Sequence, residues 1–281
     1  MCPKTPQRGF TLVELVMVIV IMGVIGGMVA VFMKAPIDAY LDSARRAALT
    51  DVADTAVRRM GRDIRKTLPN SIRTPTTTPA NQCIEFIPTK TGGRYRAEEL
   101  AAGDGTSLNF TALDATFNML GSNNALPSDQ RILKDDVIAV YNLGITNADA
   151  YNQDNTAKVT VAPSESGTPV ETTIAIASTL TASNMLFPLA SGSNRFHVIP
   201  KDEKVVAYVC SGGKLYRTVS TTFTSACPAT GTILASNVGS CKFVYNGSDL
   251  QRNALVQLSI TFTDGGESVS LYHEVHVNNT P

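Results

Sequence analysis

The sequence predicts an α+β fold, in which one long N-terminal helix packs on a mostly antiparallel β-sheet domain. The first observation is an apolar stretch from Phe10 to Met33 that carries a single charge. The second is a set of apolar residues spaced three and four apart up to Leu68, which is the repeat of one helix face. The third is that residues 69–281 contain short runs of alternating apolar and polar residues separated by turn residues, the pattern of strands.

Composition excludes several classes of function. The 281 residues carry 24 Lys and Arg against 24 Asp and Glu, so the formal net charge is zero. A protein that binds nucleic acid by broad neutralisation of phosphates needs an excess of basic residues, so no nucleic-acid partner is expected. Hydrophobic residues make up 43% of the chain, which is enough to build a core and argues against disorder.

The stretch from Phe10 to Met33 is long enough to cross a membrane. As a helix it spans about 36 Å, against about 30 Å of hydrocarbon. Lys4 and Arg8 precede it without an acid, which puts the N-terminus in the cytoplasm and the rest of the chain outside. A cleaved secretory signal fits poorly because the stretch exceeds the usual length, and an ordinary anchor fits better. Neither explains Glu14, because an acid in a spanning helix is costly.

The residues around Glu14 carry the most specific signal. They read Arg8-Gly9-Phe10-Thr11-Leu12-Val13-Glu14-Leu15. This sequence resembles the processing site of type IV prepilins and of the pseudopilins of type II secretion. The resemblance implies that a membrane-embedded prepilin peptidase cuts between Gly9 and Phe10 and that the new N-terminal Phe10 is N-methylated. It also implies that Glu14 neutralises the α-amine of a neighbouring subunit in a filament.

The chemistry of these residues agrees with that interpretation. Gly9 has no side chain to obstruct a protease subsite, and its backbone is flexible. Cleavage creates an α-amine on Phe10, and the reference pKa of such an amine, near 8, keeps it largely cationic. Glu14 and this amine are both poorly solvated in apolar surroundings. Their pairing therefore cancels two charges, and a wrong register leaves both unpaired.

The resemblance also implies an organisation, a location and a set of partners. Residues 1–9 are expected to be a leader peptide, 10–33 a transmembrane and filament-core segment, 34–68 the amphipathic second half of the helix, and 69–281 a periplasmic β-rich domain. The protein is expected to cross the inner membrane once and to enter a pilus or pseudopilus filament. The implied partners are the prepilin peptidase, other minor pilins, the major pilin and the assembly machinery in the inner membrane.

A helix from about residue 10 to residue 67 is predicted, kinked near Pro36. The basic run from Arg58 to Lys66 could indicate contact with anionic lipid or nucleic acid, but the interleaved Asp63 favours a solvated helix face. The apolar face of this helix is predicted to comprise Ile37, Leu41, Ala44, Ala48, Val52, Ala56, Met60, Ile64 and Leu68. Ion pairs at i,i+4 spacing are expected for Asp42 with Arg46, Asp54 with Arg58 and Arg59 with Asp63.

The remainder is predicted to be mostly β. Segments 91–131 and 144–193, rich in Gly, Asn, Ser and Thr, are expected to be long loops or small insertions. Asp264-Gly265-Gly266-Glu267 predicts a hairpin turn. The predicted strands are Cys83–Ile87, Val137–Leu143, Ala157–Val161, Arg195–Ile199, Val205–Cys210, Leu215–Val219, Lys242–Tyr245, Ala254–Thr263 and Ser268–Val277.

The cysteines agree with export. Cys2 would leave with the leader, and the even number that remains suits a compartment where disulfides persist. Four cysteines allow three connectivities. The local loop between Cys210 and Cys227 favours their pairing, which leaves Cys83 with Cys241. Free buried thiols are the alternative.

A search for catalytic residues finds none. The three histidines, His197, His273 and His276, show no metal-binding spacing, because residues three apart on a strand face opposite sides. Ser211-Gly212-Gly213-Lys214 is interpreted as a hairpin turn rather than a phosphate loop. Asn147, Asp149, Asn152 and Asp154 lack the spacing of a calcium loop, which favours a solvated polar loop. No enzymatic activity, cofactor, metal or small-molecule substrate is expected.

Four later stretches of the chain carry a second resemblance. They are Cys83–Pro88 with Gly93–Arg96, Tyr141–Ile145, Cys210–Arg217, and Asp264–Ser268 with Leu271–Val277. They resemble one branch of this superfamily, the MshO-type minor pilins of the mannose-sensitive haemagglutinin pilus, which implies a function in assembly, priming or capping of a pilus filament. Size and layout also resemble the J-type pseudopilins and W-type minor pilins. A minor pseudopilin of type II secretion, a membrane-tethered periplasmic binding domain or enzyme, and an adhesin remain as alternatives.

Overall fold

A computed structural model of the chain shows one long helix and fourteen strands in the residues it describes. The described residues are 9–75, 82–178, 187–224, 227–228, 230–247 and 253–281. Helix α1 runs from Leu12 to Arg65 and continues through Pro36. All the strand pairings are antiparallel. The expected fold class, a long N-terminal helix with antiparallel sheets, is confirmed.

Three sheets follow the helix. One has the strand order β1-β9-β10-β11, the second β12-β13-β14, and the third β2-β8-β4-β5-β7-β3 with β6 paired to β7. The strands are β1 Cys83–Phe86, β2 Thr91–Arg94, β3 Thr116–Leu120, β4 Val137–Ala139, β5 Thr156–Val159, β6 Ser164–Ser166, β7 Glu171–Ser178, β8 Arg195–Ile199, β9 Val205–Ser211, β10 Lys214–Ser220, β11 Thr232–Ser236, β12 Val238–Asn246, β13 Asn253–Asp264 and β14 Glu267–Asn278.

The second half of α1 packs into the main core. That core combines one face of the helix with inward side chains of the first two sheets, such as Phe86, Tyr208 and Leu258. The buried positions of α1 are Leu49, Ala53, Ala56, Val57, Met60, Gly61 and Ile64. The predicted face is confirmed at Ala56, Met60, Ile64 and Leu68, which are buried. It is wrong at Ile37, Leu41, Ala44, Ala48 and Val52, which are all exposed, because the buried face begins at Leu49 and continues through Ala53 and Val57.

The third sheet has a core of its own. Phe117, Phe196 and Val198 are fully buried in it, away from α1. Strand β5 was predicted as Ala157–Val161, but the expectation of long loops or small insertions in 91–131 and 144–193 is wrong for β2, β3, β6 and β7. Their signal was weak because the strands are short and carry Thr and Ala, which fit a pleated surface only in context. Strand β11 was missed for the same reason.

The cysteines form two disulfides, Cys83–Cys227 and Cys210–Cys241. The expected pairing of Cys210 with Cys227 is wrong. Cys83 lies opposite Val209 in the β1–β9 pair, so these two side chains share one face of the sheet, and Cys227 packs on that face. Cys210 is the next residue along β9 and faces the other side, into the main core, where it meets Cys241. The face of the sheet decides the pairing, rather than separation along the chain.

Two of the ion pairs of α1 lie within the helix and two join it to the sheets. Arg58 Nε lies 2.6 Å from Asp54 Oδ2, as expected. The other two expected pairs are wrong: Arg46 contacts Glu267 at the start of β14, Asp42 contacts Arg45, and Asp63 contacts Arg217 on β10. For Arg46 and Asp63 a partner that the fold brings close replaces the neighbour at i,i+4, whereas Asp42 pairs with its i,i+3 neighbour. The β13–β14 hairpin is confirmed, with Gly265 and Gly266 at φ +56° and +88°.

Candidate processing and assembly site

The peptide bond between Gly9 and Phe10 lies in exposed, non-helical chain just before α1. Phe10 is 86% exposed, and a side chain added at Gly9 would meet nothing within 4 Å. Helix geometry begins only after Thr11, which is in an extended conformation with φ −78° and ψ 149°. A protease that binds an extended substrate can therefore reach this bond without unwinding the helix.

Thr11 and Glu14 form a capping box at the start of α1. Glu14 N donates to Thr11 Oγ1 at 3.3 Å, and Thr11 N donates to Glu14 Oε2 at 3.4 Å. The box satisfies N–H groups that have no partner within a helix, and it sets an anionic carboxylate at the positive end of the helix dipole. Sequence reasoning gave Glu14 only an intermolecular role and missed Thr11. The signal was present as Thr-x-x-Glu before an apolar run.

The capping box leaves part of the Glu14 carboxylate available. Both hydrogen bonds from Thr11 go to Oε2, and within the described residues Oε1 accepts none. Thr11 directly follows Phe10, so the structure brings the carboxylate to the residue next to the expected new N-terminus. A second donor, such as an α-amine, can bind Oε1 while the cap persists.

The apolar segment behind this site is exposed along its whole length. Leu12, Ile19 and Phe32 are 79%, 63% and 78% exposed, and none of this segment packs on the described sheets. Among the described residues, α1 is the one helix long and apolar enough to cross a membrane. A continuous apolar surface of this size needs lipid or neighbouring helices around it.

The other end of α1 is joined to the sheets by polar contacts at Asp63. Tyr208 Oη and Arg217 Nε donate to Asp63 Oδ2 at 2.7 and 2.9 Å, and Arg217 also contacts Glu203 at 3.2 Å. Burial and the Asp63 carboxylate raise the pKa of Tyr208 well above its usual value, so the hydroxyl keeps its proton and donates. These contacts hold the β domain against the last turns of the helix.

The histidines do not form a common site. His273 faces α1 at Gly61 and His276 lies on the exposed face of β14, while His197 lies on β8 in the third sheet. Ser211–Lys214 forms the turn between β9 and β10, as expected. Within the described ranges, no three His, Cys, Asp or Glu side chains are grouped as metal ligands would be.

Asp149, one of the residues weighed as a calcium ligand, has a structural role. It binds Arg73 at 2.6 Å, and the Arg73 guanidinium lies 3.5 Å from the centre of the Tyr151 ring. Asp149 also accepts a hydrogen bond from the Tyr151 backbone N–H at 2.9 Å. Its carboxylate therefore closes the loop onto the segment that follows α1.

Comparison with known protein families gives one result for the N-terminal segment. Residues 4–30 match the model of the prokaryotic N-terminal methylation motif. This match supports the type IV pilin and pseudopilin superfamily. It covers the expected processing site and the first part of α1, and the pilin-like arrangement of helix and sheets agrees with it. No curated protein and no solved structure matches the chain.

Proposed function

We propose that this chain is a minor type IV pilin of the MshO type. It is stored in the inner membrane as a prepilin, with its β domain in the periplasm. The prepilin peptidase cuts it between Gly9 and Phe10, and Phe10 is then N-methylated. The mature subunit joins other minor pilins and the major pilin through the assembly machinery, and it primes or caps a filament. Its role is structural and involves no catalysis.

The observation that carries this proposal is the arrangement at the start of α1. Two residues separate the exposed Gly9–Phe10 bond from a helix whose first turn holds one carboxylate, Glu14, followed by an exposed apolar surface. The apolar residues can move from lipid into a filament without a cost in free energy only if neighbouring apolar helices take the place of the lipid. In that environment the α-amine of an adjacent subunit and Glu14 Oε1 gain by pairing, because each is costly to bury alone.

The second half of α1 fits the role of a rigid arm. It continues without interruption from the apolar segment into the core, and its last turns are fixed to β9 and β10 through Asp63. The stretches that resemble MshO-type pilins lie largely in the sheets that pack on this arm, in β1, in the β9–β10 hairpin and in the β13–β14 hairpin. The domain 69–281 supplies the contacts with other subunits.

A minor pseudopilin of type II secretion is the second candidate, because the methylation motif serves both classes. N-terminal mass spectrometry of the protein extracted from native membranes tests the shared step. A chain that begins at N-methylated Phe10 supports both candidates. A chain that begins at Met1 in cells with active prepilin peptidase contradicts both. Recovery of the protein in sheared pili, rather than a secretion defect on its deletion, separates the first candidate from the second.

A further inference from the structure

A basic groove lies between the second half of α1 and strand β14. We use this name for the space of about 440 Å³ lined by Asp54, Val57, Arg58, Gly61, Arg62, Arg65 and His273. Three of these side chains are arginines at positions 58, 62 and 65, so they stand one above another on one helix face. The groove therefore concentrates positive charge on a chain whose formal net charge is zero.

Two of the three arginines have no carboxylate partner. Asp54 pairs with Arg58, but among the described residues no Asp or Glu oxygen lies within 4.0 Å of Arg62 or Arg65. Their place in the last turn of α1 is favoured by the helix dipole. The dipole does not remove the repulsion between like charges one turn apart. This repulsion destabilises the helix until an anion binds. The groove is thus complementary to a negatively charged partner.

The floor of the groove depends on Gly61. A Cβ at this position would lie 3.3 Å from His273 Nε2, closer than most such contacts. With no side chain there, the imidazole rests against the helix and the space between Arg58 and Arg65 stays open. His273 is the one lining residue that belongs to a strand, so the groove opens at the edge of the sheet.

Strand β14 offers an unpaired backbone along this opening. It is 12 residues long, ends the β12-β13-β14 sheet, and pairs only with β13 among the described strands. Arg46 contacts Glu267, and Gly61 lies beside His273 and Val275, so α1 and β14 run side by side in the same direction. An exposed edge of this length is a template for another extended chain.

Distance separates the groove from the membrane surface. Arg58 lies 25 residues beyond Met33, the end of the expected span, which is about 38 Å along a helix. Attraction between exposed charges is screened within about 10 Å in salt. Anionic lipid headgroups are therefore poor candidates, and a soluble protein segment fits better.

We propose that the basic groove and the free edge of β14 together bind an extended acidic segment of a partner protein. The segment adds a strand to β14 and directs alternate carboxylates toward Arg62 and Arg65. Arg62 and Arg65 lie about 4.5 Å apart along the helix, and alternate side chains on a strand are about 7 Å apart. The long arginine side chains can spread over this difference, so each can meet one carboxylate.

Peptide binding to the full chain tests this proposal. The chain is held in nanodiscs of zwitterionic lipid, and the probe is a decapeptide of alternating Glu and Val. Calorimetry measures its binding, and amide hydrogen exchange measures the protection of β14. The expected result is binding that weakens as salt rises, together with slower amide exchange along β14. The double variant R62E/R65E should weaken binding about tenfold or more, while R59E, one position outside the groove, should change it little.

Two further measurements can overturn the proposal. A decapeptide with alternate backbone amides N-methylated keeps its charges but cannot pair with β14, and equal binding of this peptide would exclude strand addition. Unchanged binding by R62E/R65E would exclude the groove. The neutral variant R62Q/R65Q, checked by circular dichroism and intact disulfides, guards against misfolding and should also lose most binding. None of these results depends on whether Gly9–Phe10 is cleaved.

Discussion

Arg217 on β10 donates from Nε to Asp63 Oδ2 on α1 at 2.9 Å, and Tyr208 donates to the same oxygen at 2.7 Å. The Arg217 side chain is only 14% exposed and also contacts Glu203. One carboxylate near the end of the helix therefore joins two strands of the first sheet. Because α1 is a single element from Leu12 to Arg65, this contact transmits the position of the apolar segment to the β domain.

Removal of the Asp63 carboxylate should destabilise the domain. In Asp63→Ala the Tyr208 hydroxyl loses its acceptor and the half-buried Arg217 keeps only Glu203, and we expect a loss of about 2 kcal/mol in the free energy of unfolding. Asp54→Ala is the matched control, since the Asp54–Arg58 pair is exposed and an exposed ion pair contributes little to stability. Urea unfolding in neutral detergent, followed by tyrosine fluorescence, measures both. Equal losses in the two variants would contradict this role of Asp63.

The disulfides should map as Cys83–Cys227 and Cys210–Cys241. Digestion without reduction, followed by mass spectrometry, should find these two linked peptides, and a peptide that joins Cys210 to Cys227 would contradict the fold. The bridges close 144 and 31 residues. Loop entropy then predicts losses of about 5 and about 4 kcal/mol when each pair is replaced by Ser. The double variant Cys210→Ser/Cys241→Ser should still unfold cooperatively.

His197 should make the third sheet sensitive to acid. Burial first, and then Arg195, lowers the pKa of His197 to about 4. Within the described residues its buried Nε2 has no hydrogen-bond partner. As pH falls from about 6.5 to about 4, the unfolded chain takes up a proton that the folded chain refuses, so the free energy of unfolding falls. The pKa difference gives an upper bound of about 3 kcal/mol.

The variant His197→Asn isolates this effect. Carboxylates titrate over the same pH range in both proteins, so the difference between their unfolding free energies removes that contribution. Between pH 7 and pH 4 the free energy of unfolding should fall more for the original protein than for His197→Asn, by up to about 3 kcal/mol. Above pH 7 the difference between the two should be constant. Parallel curves for the two proteins over the whole range would exclude His197 as the cause.

Much of the helix and of the inner strands could be predicted from sequence. The apolar stretch is long, and strands such as Arg195–Ile199 carry β-branched or aromatic residues in a clear pattern. Other strands of the third sheet could not be predicted in this way, because β7 carries small Ala residues beside Ile174 and Ile176 and is stabilised as a strand by the core around Phe117. The partners of Asp63 and Cys210 are more than 30 residues away. Local spacing carries no information about them.

The start of α1 shows a different limit. The candidate processing residues Gly9 and Phe10 and the acid Glu14 could be selected from sequence alone, because the motif is short and contiguous. The geometry of these residues could not be predicted, although the Thr-x-x-Glu pattern indicates the Thr11 cap. The motif indicates only the charge of Glu14, whereas the structure shows the hydrogen bonds that Glu14 makes within its own helix.

Substitutions can separate the capping role of Glu14 from the charge pairing proposed for it. In Glu14→Gln the amide oxygen can still accept from Thr11 N, so the capping box remains while the charge is lost. In Thr11→Ala the charge remains while the cap is lost, at a cost of about 1 kcal/mol in helix stability. If charge pairing with a neighbouring α-amine drives assembly, both variants should be cleaved after Gly9, but only Glu14→Gln should fail to enter filaments. The measurement is the ratio of this protein in sheared filaments to that in membranes, by quantitative immunoblot. Failure of Thr11→Ala alone would instead assign the role of Glu14 to capping, and normal incorporation of Glu14→Gln would exclude charge pairing.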